Sequence, residues 1–119
     1  MRSSPVFPQI HLRINLAPGF AFGPGKAELL ERIADTGSIS AAARQMRMSY
    51  KRAWHLVDDM NRSFGQPVVE TIAGGARGGG ANLTECGKRA AKAYRSLQNK
   101  VRVSAARELA TLTKYAAHS

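Results

Sequence analysis

The chain has little cysteine, few acidic residues and no long apolar run, and each shortage excludes a class of protein. Cys86 is the only cysteine in 119 residues, so an intrachain disulfide and a cysteine-based zinc cluster are excluded. No apolar run approaches the roughly 20 residues of a membrane-spanning helix. Residues 1–16 also lack the continuous apolar stretch of a signal peptide. We therefore expect a soluble, cytoplasmic protein with no membrane partner.

Groups that carry out catalysis are also scarce. The three histidines are His11, His55 and His118, and their spacing matches no metal-ligand motif. Asp58 and Asp59 form the only adjacent carboxylate pair, and neighbouring helix residues point about 100° apart, which does not favour sharing a proton. No Gly-x-Ser-x-Gly motif is present. The sequence predicts no enzyme activity, no metal site and no cofactor.

What the chain does have is positive charge and enough apolar residues for one modest core. Eighteen Lys and Arg stand against eight Asp and Glu, which gives a formal net charge of +10, and 44% of the residues are hydrophobic. A chain of this length forms one domain with room for an extended arm. Such a positive charge favours binding to the phosphate backbone of nucleic acid.

The segment 37–61 has the pattern of two helices joined by a tight turn. Ser38 or Ser40 is placed to cap a short first helix that ends at Gln45, and Ser49 to cap the second. The apolar residues recur at near-helical spacing and should form the inward face: Ile39, Ala42, Ala43, Met46, Met48, Ala53, Val57 and Met60. This is a helix-turn-helix pattern, although short helix pairs without a DNA-binding role share such features.

The predicted second helix presents polar and aromatic residues outward at its beginning. The candidate DNA-binding residues of the two helices are Ser38, Ser40, Ser49, Tyr50, Lys51, Arg52, Trp54 and His55. Trp54 has two possible roles: its indole could contact DNA, or it could pack under Ile39 and fix the angle between the helices. The packing role is the one that we favour from the sequence.

The residues before this segment predict an arm, a strand and a helix. Residues 1–9 carry two prolines and no periodicity, which indicates a flexible arm. In residues 10–16, isoleucine and leucine alternate with polar residues, as in a strand with one buried face. Residues 17–25 contain Pro and Gly turn signals, and a helix should follow from Pro24 or Gly25 to Asp35. Its predicted buried residues are Leu29, Leu30, Ile33 and Ala34, and Gly37 should end it.

The residues after the two helices predict a hairpin with a glycine-rich tip. Residues 68–72 and 81–83 have strand character, and the tip between them carries Arg77. A phosphate-binding P-loop is rejected because no Gly-Lys-Ser/Thr follows the glycines. An arginine on such a tip suits contact with a DNA backbone or minor groove, so Arg77 joins the candidate DNA-binding residues.

From Thr84 to about Ala117 the sequence predicts one long helix, capped by Thr84. Apolar residues recur at steps of three or four, which is typical of coiled coils: Ala90, Tyr94, Leu97, Val101, Ala105, Leu109 and Leu112. A helix of that length spans roughly 45–50 Å, more than so small a domain covers. We therefore predict dimerisation through Tyr94, Leu97, Val101, Leu109 and Leu112. The alternative is a helix that packs only within its own chain.

A set of residues spread over nearly the whole chain resembles a known family. They are Gly37-Ser38-Ile39-Ser40, Ser49-Tyr50-Lys51, Ala53-Trp54, Asn61, Glu70, Gly74-Gly75, Gly78-Gly79-Gly80, Leu83-Thr84 and Gly87. In these residues the sequence resembles the DNA-binding portion of ModE-type molybdate-responsive transcriptional regulators, which are relatives of the LysR-type winged helix.

This resemblance implies a homodimeric regulator that binds double-stranded DNA. It implies that the second helix enters the major groove, that the hairpin contacts the flanking backbone and that a long C-terminal helix dimerises. Two departures bear on its use. The molybdate-binding domains of the family have no counterpart before Ser119, so direct molybdate binding is not expected. The family often has a basic residue where this chain has Thr71, and its basic wing residue can fall at the position of Ala76, where this chain instead carries Arg77 next to it.

The predicted fold is therefore mainly α with a small β-hairpin: a winged helix-turn-helix with a long C-terminal dimerisation helix. Its parts are a flexible arm (1–9), the winged helix-turn-helix domain (10–83) and the linker and dimerisation helix (84–119). The predicted function is sequence-specific transcriptional regulation, linked to molybdenum or related metabolism and associated with the nucleoid. A nucleoid-associated protein of low specificity and a protein-binding adaptor remain as alternatives.

Overall fold

The structure, a computed structural model, describes residues 7–72 and 80–116. Its elements in chain order are β1 (Ile14–Ala17), β2 (Phe20–Phe22), α1 (Pro24–Thr36), α2 (Ile39–Gln45), α3 (Tyr50–Ser63), β3 (Val69–Ile72), β4 (Gly80–Leu83), α4 (Glu85–Ser104) and α5 (Ala106–Tyr115). The helices dominate, and β3 and β4 form the antiparallel hairpin of a winged helix, which we call the wing. The predicted fold class is confirmed.

The N-terminal strand is shorter than predicted and pairs with a strand that the sequence did not reveal. β1 pairs antiparallel with β2, and the register shifts between Asn15 and Ala17. This irregularity, just before the tight turn at Gly19 (φ 78°), breaks the alternation of inward and outward side chains. Leu16 is consequently 51% exposed, which makes its predicted burial wrong.

The short strand β2 contributes two aromatic rings to the core. Phe20 and Phe22 are buried and contact the ring of Phe64 edge to face, at centroid distances of 5.0 and 5.5 Å. Turn signals on both sides hid this strand, because three residues are too few to show a period. Its aromatic rings nevertheless connect the N-terminal hairpin to the end of α3.

Helix α1 lies at the centre of the core and packs against α2, α4 and β4. Ala27, Leu29, Leu30 and Ile33 are buried, whereas the predicted core residue Ala34 is exposed. Ala34 lies seven residues after the buried Ala27 and so on the same side of the helix, but it belongs to the last turn, where that side is not covered. Gly37 ends the helix in the left-handed conformation (φ 71°), and its N–H donates to the Ile33 carbonyl at 2.8 Å.

The long C-terminal helix begins as predicted but is interrupted. The hydroxyl of Thr84 accepts from the N–H of Gly87 at 3.0 Å and caps α4. At Ala105 the backbone leaves helical geometry (φ −98°, ψ 17°), and α5 follows as a separate helix. Val101, Val103 and Ser104 have lower helix propensity than leucine or alanine, and α5 has no buried residue to compensate. None of the helices in the two described ranges is long and apolar enough to cross a membrane.

Candidate nucleic-acid interface

The two helices of the helix-turn-helix are each capped by a serine. The hydroxyl of Ser38 accepts from the N–H of Ala41 at 3.0 Å and begins α2. The hydroxyl of Ser49 accepts from the N–H of Arg52 at 3.0 Å and begins α3. Both caps were predicted, with Ser40 as the alternative to Ser38. Ser40 lies instead in the first turn of α2, exposed, and accepts from the Arg44 guanidinium at 3.1 Å.

Small residues and one unusual backbone conformation bring α2 and α3 together. Ala42, Ala43 and Ala53 are buried, so the two helices pack closely. Between them the chain turns at Arg47, which has a positive φ of 58°, and the N–H of Met48 then donates to the Ala43 carbonyl at 3.0 Å. A non-glycine residue in this conformation is uncommon and marks a turn fixed by its surroundings. The turn directs the start of α3 outward.

The start of α3 is an exposed surface of cations and aromatic rings. The predicted residues Tyr50, Lys51, Arg52, Trp54 and His55 are all exposed. Trp54 is 43% exposed and contacts the imidazole ring of His55 edge to face at 5.5 Å, so its predicted core packing is wrong. The close contact of the alanines leaves no space for an indole between the helices, and Trp54 points about 100° away from the buried Ala53.

Charge is distributed unevenly along α3. Near its end, Arg62 pairs with Asp58 at 3.2 Å and with Asp59 at 4.0 Å, so its charge is largely balanced. Among the described residues, neither Lys51 nor Arg52 has an acidic partner within salt-bridge distance. The free N–H groups at a helix start add further positive potential. The first turn of α3 therefore carries two positive charges that no described acidic side chain balances.

Two further cations adjoin this surface and were not among the predicted residues. Arg44 is exposed at the end of α2, and Arg47 is exposed in the turn before Ser49. The signal in the sequence was one arginine in the last turn of the first predicted helix and another in the short connection that follows it.

The wing lies beside the helix-turn-helix, with Val69 opposite Leu83 and Ile72 opposite Gly80. Its tip, with Arg77, lies outside the described residues, so the predicted contact of Arg77 with DNA stays a prediction. The N–H of Ala81 in β4 donates to the carbonyl of Gly37 at 2.9 Å. The base of the wing is thus bonded to the turn that precedes α2.

The structure does not bring the predicted dimerisation residues to one face. Tyr94 is 3% exposed, and its hydroxyl donates to the Leu12 carbonyl at 2.7 Å. Its assignment to a dimer interface is therefore wrong, because its side chain belongs to the core of its own chain. That burial also raises the pKa of Tyr94, while the bond to Leu12 and the charge of Arg95 oppose the rise.

The other four residues fall on two separate surfaces. Leu97 and Val101 border a shallow groove on α4 that also includes Ala93 and Lys100. Leu109 borders a different cleft, between α5 and the segment Phe7–His11, and Leu112 is 69% exposed. The interruption at Ala105 separates the two groups.

Comparison with known proteins places these features in a family. Residues 25–88 match the model of the bacterial regulatory helix-turn-helix proteins of the lysR family. The DNA-binding domain of CbnR, solved in complex with DNA, superimposes with a TM-score of 0.57 at 20% identity, covering 73% of this chain and 94% of that one. Full-length CbnR with its target DNA gives a TM-score of 0.54 at 19% identity, covering 71% of this chain and 27% of that one. At these identities the likeness establishes the fold.

Sequence relatives are more similar but much longer. The molybdenum transport protein ModE of Azotobacter vinelandii is 42% identical over 80 residues, which are 67% of this chain and 30% of that protein. The molybdenum-pterin-binding protein MopB of Rhodobacter capsulatus is 45% identical over 80 residues, with the same coverage. The DNA-binding transcriptional dual regulator ModE of Escherichia coli K12 is 38% identical over 86 residues, which are 72% of this chain and 33% of that protein.

The chain thus spans about a third of the length of the curated relatives that it matches. The match to the family model includes α1, both helices of the helix-turn-helix, the wing and the start of α4. It covers more than half of the 119 residues, and the winged-helix fold agrees with it. This chain belongs to the lysR family of bacterial regulatory helix-turn-helix proteins.

Proposed function

We propose that this chain is the DNA-binding part of a transcriptional regulator that recognises a specific sequence in double-stranded DNA. The observation that carries the proposal is the first turn of the serine-capped helix α3, where Lys51 and Arg52 are exposed and have no acidic partner within salt-bridge distance among the described residues. A recognition helix places such residues against base edges in the major groove. A regulator of this kind acts in the cytoplasm, on the chromosome.

Each exposed residue of α3 has a distinct role in this proposal. Lys51 and Arg52 donate hydrogen bonds to guanine or phosphate oxygens, and His55 donates or accepts at a base edge. Tyr50 and Trp54 provide apolar contact with thymine methyl groups or sugars, with the Tyr50 hydroxyl as a further donor. Arg44 and Arg47 are exposed near this helix start, and we propose that they contact phosphates and so orient the domain.

The test is a selection of preferred duplexes from a random pool, followed by affinity measurements on Lys51→Ala. Loss of a base contact should weaken binding to the selected duplex by about 1–3 kcal/mol and relax the sequence preference. Lys114→Ala is the matched control, because it removes the same charge from the exposed end of α5. If Lys51→Ala keeps both affinity and preference, the assignment of α3 to the groove is wrong.

The same measurements separate this proposal from a nucleoid-associated protein of low specificity. A specific regulator binds its selected duplex roughly 10³-fold or more tightly than competitor DNA. A ratio near one would favour the low-specificity alternative. Binding that does not weaken as salt increases would favour a protein-binding adaptor, because phosphate contacts release counterions.

Arg77 is proposed to contribute affinity without much sequence choice. A cation on a glycine-rich tip suits contact with phosphate or a narrow minor groove. Arg77→Ala should weaken selected and competitor duplexes by similar factors and lower the salt slope by about one. A loss confined to the selected duplex would show that the wing reads bases.

We further propose that the regulator acts as a homodimer and serves molybdenum-related metabolism. Support for the dimer comes from the exposed apolar residues of α4 and α5, among them Leu97, Val103 and Leu112. Support for the metabolic role comes from relatives named for molybdenum transport and molybdenum-pterin binding. A two-fold dimer predicts a selected duplex with two related half-sites.

These 119 residues are not expected to bind molybdate themselves. Selective capture of a tetrahedral oxyanion needs several convergent donors in a closed pocket. Calorimetry decides the question: the expected result is weak heat that an equal ionic strength of sulfate reproduces. Saturable micromolar binding that resists excess sulfate would contradict the prediction.

A further inference from the structure

The backbone that leads from α3 into the wing is held by side chains on both sides. Asn61, in the last turn of α3, accepts through Oδ1 from the N–H of Val68 at 2.7 Å and of Val69 at 3.1 Å. Its Nδ2 donates to the Val69 carbonyl at 3.2 Å. From the other side, Thr84 donates through Oγ1 to the Pro67 carbonyl at 2.7 Å and through its N–H to the Val68 carbonyl at 3.0 Å.

These bonds satisfy every backbone donor and acceptor of Pro67, Val68 and Val69. In an antiparallel pair, the N–H and C=O of alternate residues point toward the partner strand and away from it. Val69 pairs with Leu83 in register, yet its N–H and C=O bond to Asn61, so they point away from β4. Asn61 therefore occupies the place that one residue of a third strand would take at the edge of the wing.

The opposite edge of the wing is bonded in the same way. The N–H of Ala81 in β4 points away from β3 and donates to the carbonyl of Gly37 at 2.9 Å. Gly37 ends α1 and immediately precedes the Ser38 cap of α2. The wing base is thus joined to the helix-turn-helix at both edges, by a side chain of α3 and by the backbone before α2.

We infer that Asn61 is a positioning residue for DNA recognition: its amide fixes the wing relative to α3, so that groove and flank contacts form together. This inference rests on the proposed function. A two-stranded hairpin has little stability of its own, so its orientation depends on what its edges bond to. Without the amide, β3 would keep its ladder to β4 but lose its bonded connection to the recognition helix.

The inference predicts a particular dependence on the length of the DNA. For the unmodified protein, shortening the selected duplex to the groove-contacting base pairs should cost about tenfold in affinity, as expected for one or two lost backbone contacts. For Asn61→Ala the longer duplex should bind more weakly, and shortening it should cost less than about twofold. A general loss of stability would instead weaken both duplexes by one common factor.

Two further variants separate the loss of the Asn61 bonds from a general loss of stability. Asn61→Asp keeps both accepting bonds and the side-chain volume but loses the donor to Val69. For this variant, the loss of affinity on shortening the duplex should fall between that of the unmodified protein and that of Asn61→Ala. Tyr94→Phe removes a single hydrogen bond of 2.7 Å, to the carbonyl of Leu12 before β1. It should keep the full dependence on duplex length. If both Asn61 variants keep the full dependence of affinity on duplex length, the inference is overturned.

A measurement without DNA separates this inference from the proposed function. Spin labels on cysteines introduced at the exposed positions Tyr50 on α3 and Thr71 on β3 report the distance between helix and wing. Cys86→Ser removes the native thiol that would otherwise also be labelled. The distance distribution should widen in Asn61→Ala and stay narrow in Tyr94→Phe. An unchanged width would overturn the inference. A wild-type chain that selects no duplex would count against the proposed function, and the distance measurement would still decide the role of Asn61.

Discussion

The part of the chain from α1 to the middle of α4 and the part beyond it differ in whether their apolar side chains are buried. In the first part every helix contributes buried residues, from Ala27 to Tyr94. In the second part, none of the described residues from 97 to 116 is buried, although leucine, valine and tyrosine recur there. Similar apolar periodicity thus accompanies a buried core in one region and an exposed surface in the other.

The difference arises from the neighbouring helices and strands that pack on each part. Helix α1 is covered by α2, α4 and β4, whereas α5 makes extensive contact only with the end of α4. The ion pair of Arg95 with Glu31 at 2.8 Å lies at the boundary, one residue after Tyr94, which is the last buried residue of α4. Side-chain hydrogen bonds continue from Arg95 to Gln98 and from Gln98 to the Ile10 carbonyl, at 3.0 Å each. Beyond Gln98, no described residue of α4 or α5 is buried.

The largest expected effect contrasts one leucine from each region. Leu30→Ala removes a fully buried side chain and leaves a cavity, so it should lower the free energy of unfolding by about 2–5 kcal/mol. Leu112→Ala should change it by less than about 0.5 kcal/mol, because that side chain is already exposed. Urea unfolding at low protein concentration measures both. Equal losses would show that α5 is part of the same cooperative core.

The next contrast uses two glycines in first turns of helices. A methyl group on Gly87 would overlap the Val68 carbonyl, so Gly87→Ala should cost about 2–3 kcal/mol. Gly25, near the start of α1, has open space around it. Gly25→Ala should therefore stabilise the protein by about 0.4–1 kcal/mol, because alanine has fewer unfolded conformations to lose. Thermal unfolding compares the two, and a harmless Gly87→Ala would contradict the close approach of α4 to the wing base.

Two threonines give a smaller effect. Thr84→Ala loses the cap of α4 and leaves the Pro67 carbonyl without its donor, which should cost about 1–2 kcal/mol, and Thr84→Ser should restore most of it. Thr113 in α5 donates only to the Leu109 carbonyl within its own helix. Thr113→Ala should be neutral within about 0.5 kcal/mol. Chemical denaturation measures both, and similar costs would remove the distinction between the two regions.

The smallest effect on the stability of a single chain is expected from a charge on α4. Val101→Glu should change monomer unfolding by less than about 0.5 kcal/mol, because the side chain is only half-buried. It should dissociate the proposed dimer by placing a charge in an apolar contact. Sedimentation at micromolar concentration tests this, with Lys88→Glu on the same helix as the control. A monomeric wild-type protein would remove both the dimer and the expectation of paired half-sites.

The helix-turn-helix was well predicted because its signals are local. A serine caps a helix by bonding within three residues, and Gly37 ends one through its own backbone conformation. The inward face from Ile39 to Met60 follows from helical periodicity alone. The exposure of Lys51, Arg52 and His55 was predicted correctly for the same reason.

The errors occurred where a residue's environment depends on distant parts of the chain. Tyr94 has the same spacing as Leu97 and Val101, and its contacts with Leu12, 82 residues away, and with the ring of Phe22 place it in the core. Trp54 has an apolar ring that suited the helix crossing, and only the closeness of the alanines excludes it. The strand Phe20–Phe22 became recognisable through pairing with β1 and packing on Phe64.

The sequence by itself determined where α1 ends, where α2 and α3 begin, the turn between them and the exposure of the start of α3, since caps, glycine conformations and helical period act over a few residues. Tertiary structure alone decided that Tyr94 is covered whereas Leu112 is exposed, and how the wing is attached to the helices. The three bonds of Asn61 illustrate the reason: its partners lie seven and eight residues away, beyond the end of α3. An amide shows no periodicity in the sequence, so its role appears only when the folded chain brings its bonding partners within reach.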